Sequence, residues 1–157
     1  MFDCASKLSL DDLNRDKGAF FKSVIGTLNH ILVGDIIWLQ RFSNHPPSTQ
    51  VLSYVLSIEK PKSLDSILFK DLEQLRLERE KIDSIIINWI NELSDNDINC
   101  SICYQNMAGV KFNKPYASLI SHLFLHQVHH RGQATVLLSQ YGLSFGETDL
   151  IEIIGEN

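Results

Sequence analysis

Apolar residues recur at three- and four-residue spacing through long stretches of this chain, and that period predicts helices. The clearest amphipathic run covers residues 63–93, where Leu64, Leu68, Leu72, Leu75, Ile82, Ile86, Trp89 and Leu93 share one stripe and Ser63 offers an N-cap. A second run, from about residue 16 to Phe42, is apolar nearly all round and predicts a central helix. A third starts after Pro115 and continues to about Tyr141, with Gly142 placed to end it. A shorter helix is expected over residues 8–14, capped by Ser9 with Asp11 and Asp12 in its first turn. Residues 43–62 carry Pro46, Pro47 and Pro61 and read as a crossover loop, with residues 51–58 packing as a strand-like or helical turn. Around Gly109 the period changes, and residues 98–104 and 110–112 read as two short strands joined by a turn. A last helical turn is expected over residues 148–154. The pattern predicts an all-α antiparallel four-helix bundle, with a short β-hairpin-like insertion before the last long helix and residues 1–157 as a single domain.

Composition narrows the function classes. At 157 residues the chain is long enough to bury a full core without disulfides. Its net charge of -5 argues against a non-specific nucleic-acid binder, which needs a basic stripe to displace counterions. No stretch is apolar enough to span a membrane, and the first ten residues lack the pattern of a signal peptide. Three cysteines, an odd number, fit a reducing cytoplasm.

Candidate chemistry concentrates in the last long helix. Four of the six histidines, His122, His126, His129 and His130, fall within nine residues. At about 100° per residue, Leu119, Leu123, Ala134, Leu137 and Tyr141 lie within about 40° of His130, which centres the buried stripe. His126 lies about 40° to one side, while His122 and His129 fall about 80° and 100° away. Two inward imidazoles at i, i+4 are costly to bury on an apolar face, and a shared cation would offset that cost. His30 is the candidate third ligand, on a face of small residues, Ala19, Ser23, Gly26 and Gly34, that reads either as a pocket or as close helix packing.

Other residues are weaker candidates. Arg79 interrupts the apolar stripe of its helix and Asp35 sits among bulky residues, so a buried Asp35–Arg79 ion pair is expected, the alternative being an Arg79 stem along the core with its head in water. Tyr104 and Asn106 are candidates for contacting substrate if the hairpin folds over the metal end, whereas a turn-stabilising role is the plain alternative for Asn106. Cys100 and Cys103, three apart on a predicted strand, point to opposite faces and suit neither a disulfide nor chelation. His45, beside Pro46, is expected to be solvated.

Several segments together resemble the DinB family of four-helix-bundle metalloproteins. They are Thr27-Leu-Asn-His30, Asp35-Ile-Ile-Trp38-Leu-Gln-Arg41-Phe42, Tyr104-Gln-Asn106 with Gly109, His126-Gln-Val-His-His130-Arg-Gly-Gln133, and Thr148-Asp149-Leu150. The resemblance implies one divalent ion, most often nickel or zinc, held by His30, His126 and His130. Iron or manganese is also compatible, and imidazole sites accept copper as well. It further implies a homodimer, and a family that includes enzymes using low-molecular-weight thiols.

Three neutral imidazoles around one ion make the donor set of catalytic rather than structural zinc, with a position open for water or a thiol. The expected function is therefore a metal-dependent hydrolase or thiol S-transferase acting on a small molecule. The alternative is a non-catalytic metal-binding dimer with a structural or sensing role. Gln127 stands where His-Glu-x-x-His proteases carry their base, so protease chemistry is not expected. The Glu-x-x-His pairs of di-iron bundles are also missing.

Overall fold

A computed structural model describes residues 1–45, 48, 50–152 and 154 of the chain. Pro46 and Pro47 of the expected crossover loop, and Ile153 of the expected last turn, lie outside the described residues. Three long helices dominate: α3 (Val24–Phe42), α5 (Leu72–Glu92) and α7 (Tyr116–Ser139). Four short helices accompany them: α1 (Phe2–Ala5), α2 (Leu10–Asn14), α4 (Ser53–Ser57) and α6 (Asp95–Ile98). Strands β1 (Ser101–Gln105) and β2 (Lys111–Pro115) form one antiparallel hairpin, with Tyr104 opposite Phe112, immediately before α7. The described residues are thus mostly helical, with one small sheet.

Local chemistry explains where the long helices begin. The central helix starts at Val24 rather than near residue 16, because Gly18 and Lys22 take positive φ values of 74° and 67° that no helix accommodates. Ser23 then caps α3, its hydroxyl accepting from the Gly26 amide at 3.1 Å. The amphipathic run likewise starts at Leu72 rather than residue 63, with the Asp71 carboxylate accepting from the Gln74 amide at 2.9 Å. Leu64 and Leu68 keep the apolar spacing but lie in a non-helical segment of turns and bends held against α3. There Asn29 is a bracket: its Oδ1 accepts from the Leu68 and Phe69 amides, and its Nδ2 donates to the Phe69 carbonyl. Helix α7 ends at Ser139, two residues before the expected Tyr141, and the chain turns away at Gly142.

The core lies where the three long helices meet. Ile36, Leu39 and Phe42 of α3 pack with Leu75, Ile82 and Trp89 of α5 and with Leu119, Leu123 and Leu137 of α7. Phe42 stacks on Trp89 at 5.2 Å between ring centroids. Each such side chain contributes roughly 1.5–3 kcal/mol by leaving water. No helix among the described residues is long and apolar enough to cross a membrane.

Candidate metal centre

The sharp packing of α3 against α7 brings three histidines from distant parts of the chain into contact. His30 Nε2 lies 3.2 Å from His126 Nε2 and 3.1 Å from His130 Nε2. Among the described residues these three form the one group of His, Cys, Asp or Glu side chains able to share an ion, with one donor atom from each within 4.8 Å of the others. The close approach depends on Gly34, because a Cβ there would sit 2.5 Å from His126 Cε1. His30 and His130 are buried, and His126 is partly so.

Hydrogen bonds at the far side of two rings fix what the near side offers. His30 Nδ1–H donates to the Leu64 carbonyl at 2.7 Å, so its neutral ring presents a bare Nε2 lone pair. His130 Nδ1–H donates to Gln133 Oε1 at 2.8 Å, and its Nε2 is likewise an acceptor. Gln133 is oriented in turn by donating its amide to His129 Nε2 at 3.1 Å. Two acceptors therefore face each other at 3.1 Å with no proton of their own to share. His126 Nδ1 is buried without a hydrogen-bond partner. Three nitrogens bound to one zinc at about 2.0–2.1 Å in tetrahedral geometry stand about 3.3 Å apart, close to the two spacings measured from His30. The donor set and its spacing fit a divalent cation.

Electrostatics favour the same state. Burial lowers His30 to about 4, despite the raising effect of the Leu64 carbonyl. Burial, followed by the neighbouring His130 and His30, lowers His126 to about 4. His130 is lowered as well, by burial first, with Gln133 acting against it. All three rings are neutral at pH 7 and ready to ligate. Phe21 stacks on His30 at 3.6 Å and 14°, closing one side of the cluster.

The other side opens on a cavity of about 480 Å³ lined by His30, Gly34, Trp38, Arg41, Asn106 and His126, among others. Asn106 reaches it from the hairpin turn, where its Oδ1 also accepts from the Val110 amide at 2.9 Å. Tyr104 lines an adjoining cavity, its ring stacked on Phe112 and tilted against Trp38. His122 packs edge-on to Trp38 at the cavity wall, and His129 is exposed, with its ring edge-on to His130 at 4.7 Å and its Nε2 accepting from Gln133.

Arg79 does not line the histidine cavity. It forms the expected ion pair with Asp35 and a second with Asp83 at 2.6 Å. Gln127 completes this cluster by donating to Asp35 Oδ2 at 2.8 Å. Burial pushes Asp35 up to about 6 against the pull of Arg79 and Gln127. Burial alone would lower Arg79, but Asp35 and Asp83 outweigh it and raise it.

His45 is not simply solvated. It is half-buried, with Nε2 3.2 Å from Cys100 Sγ and its ring edge-on to Tyr116. Cys100 precedes β1 and Cys103 is exposed, and both are free thiols. Sequence patterns gave no warning of the Leu64 carbonyl or the Phe21 stack. Gln133 stood at i+3 from His130, the spacing that places its amide beside the ring.

Comparison with known proteins agrees with this geometry. A crystal structure of a DinB-like protein from Bacillus cereus ATCC 10987 is similar over 94% of this chain and 87% of that one, with a TM-score of 0.62 and 19% identity. That likeness shows a shared fold. No curated protein matches. The family model of the DinB family matches residues 1–154, and the chain belongs to the DinB family.

Proposed function

We propose that the protein is a mononuclear metal-dependent enzyme, with His30, His126 and His130 as the ligands of one divalent ion. The observation that carries this reading is the convergence of three imidazole nitrogens, two of them held bare, beside an open cavity that His30 and His126 line. A bound divalent ion would supply Lewis acidity that lowers the pKa of a water or of a low-molecular-weight thiol. The chain's own residues do the rest. Leu64 and Gln133 hold two imidazoles in the ligating tautomer, as outer hydrogen-bond partners do at metal sites. Phe21 excludes water from one side, and the cavity admits substrate from the other. Asn106 is the candidate to orient a substrate over the histidines, because it lines their cavity, and Tyr104 the candidate to line its approach. Arg79 serves by holding Asp35, beside Gly34, in place.

Thiol S-transfer or hydrolysis are the reactions proposed, with nickel or zinc as the ion and iron or manganese as compatible replacements. A four-helix bundle, a homodimer and a cytoplasmic setting belong to the same reading. For the bundle, the support is that α1 and α2 flank the long helices: Asp3 pairs with Arg76 of α5, and Tyr141 beyond α7 donates to the Asp12 carbonyl.

The test is metal analysis of protein isolated without chelators, followed by a screen of thiols against electrophiles. One divalent ion per chain and metal-dependent loss of thiol support the enzyme. A protein that holds no ion and takes none up refutes it. Tight metal binding with no turnover of any thiol or ester supports a structural or sensing role instead.

A further inference from the structure

A second, larger cavity of about 850 Å³ lies beside the one above the histidines, and Ile37 and Arg41 line both. Three cations border this second space: Arg41 from α3, Lys60 from the segment after α4, and Lys111 from β2. Among the described residues no acidic side chain lines it, although the chain as a whole carries a net charge of -5. Asn44 and Asn113 add neutral polar groups to its wall.

The cations are placed by backbone rather than by chance of rotamer. Gln40 donates its amide to the carbonyls of Val55 at 3.1 Å and Ile58 at 2.9 Å, which ties the segment bearing Lys60 to α3. Lys111 sits in register opposite Gln105 in the hairpin. Arg41 is the most constrained. Its guanidinium lies 4.4 Å from the Trp38 ring centroid and 5.1 Å from that of Tyr104. Yet it makes no salt bridge and donates to no acceptor among the described residues. Half-buried, it keeps five N–H donors on a planar fork that matches a carboxylate or phosphate. Burial lowers its pKa, with Tyr104 acting the other way, as expected of a charge with no carboxylate beside it.

Helix geometry relates this group to the metal centre. His30, Gly34, Ile37, Trp38 and Arg41 follow one stripe of α3. Eleven residues separate the end members, about 16 Å along the axis, and the Arg41 side chain leans back over Trp38 toward the histidines.

We propose that Arg41, with Lys60 and Lys111, forms an anion subsite for the carboxylate or phosphate of a small molecule whose reactive end reaches the three histidines. This rests on the metal-enzyme reading for the reactive end only, and the subsite exists whether or not an ion is held. The anion enters the larger cavity, pairs with the guanidinium fork, and gains longer-range attraction from the two lysines. Arg41 is then the residue that selects anionic over neutral substrates.

The test uses the full chain, freed of metal, titrated at low salt with inorganic phosphate and separately with succinate, while amide resonances are followed by NMR. Saturable shifts are expected at residues 103–105, 111–113 and 40–44. Arg41→Gln should weaken binding about tenfold or more, as the loss of a charge-assisted hydrogen bond implies. The Lys60→Gln/Lys111→Gln double variant, which leaves α3 untouched, should weaken it several-fold and flatten its salt dependence. Phosphate alone or succinate alone binding in this way supports the subsite and assigns its anion. No saturable binding of either, or binding that both variants leave unchanged, overturns it. Nickel uptake by the same preparation, compared with His130→Ala, reads the metal centre separately, so failure of one proposal is not failure of the other.

Discussion

Two buried polar clusters lie side by side on α3 and α7, and they are built on opposite principles. In one, Asp35 of α3 and Gln127 of α7 meet Arg79 of α5. In the other, starting at the adjacent residues Gly34 and His126, the ring nitrogens of His30, His126 and His130 converge, with those of His30 and His130 held bare. The first cluster brings its own cation and joins all three long helices. The second holds no cation of its own, sets two imidazole lone pairs face to face and opens on a cavity. Opposite charges meet in the first, leaving only Asp35 Oδ1 and Arg79 Nε without hydrogen bonds, whereas the second holds no charge to match, so neighbouring positions divide into a structural tie and a site for a ligand.

The largest effect is expected at the tie. Arg79→Ala strands the buried Asp35 carboxylate and should cost about 3–5 kcal/mol, read by chemical denaturation. Arg79→Leu with Asp35→Asn removes both charges and should recover much of that loss. If the single and double variants are equally destabilised, the pair is not what holds the helices there.

At the histidine cluster, His130→Ala should lower metal affinity by more than about a hundredfold, above the range for outer-shell partners. His129→Ala should change it by only about tenfold at most, because it acts through Gln133. Equal losses would contradict the ligand assignment. Gly34→Ala removes no donor but drives a methyl against His126, and should cost about ten- to a hundredfold in affinity, similar to an outer-shell change. Gly132→Ala on α7, where a Cβ meets nothing within 4 Å, should leave affinity unchanged and add up to about 1 kcal/mol of stability.

Protonation gives the smallest and most graded effect. His30 and His126 are lowered from 6.5 to about 4 in the fold, so the unfolded chain takes up protons first as pH falls. Their contribution to the stability of the metal-free protein is fully present above about pH 6.5 and is lost progressively toward pH 4. Thermal melts across that range should fall for the parent chain and fall less for His30→Phe.

Much of the site was legible because helical geometry is local. The projection of α7 separated His126 and His130 from His122 and His129, and Arg79 in an apolar stripe announced its carboxylate partner. Both long helices start later than their apolar spacing predicts, because spacing alone does not distinguish a helix from a segment laid along one. Leu64 and Leu68 keep the spacing, but Asn29 ties their segment to α3 by hydrogen bonds. The residues around Phe21 look helical until Gly18 and Lys22 take left-handed conformations. Backbone groups such as the Leu64 carbonyl leave no mark in a sequence, and they become visible only when the segments that carry them are in place.

The most direct test of the central claim is X-ray absorption at the metal edge of protein isolated without chelators. The account predicts one ion per chain, with about three nitrogen scatterers of imidazole character at about 2.0–2.1 Å, and loss of that shell in His130→Ala. An ion ligated by sulfur or by oxygen alone, or a spectrum unchanged in His130→Ala, would contradict it.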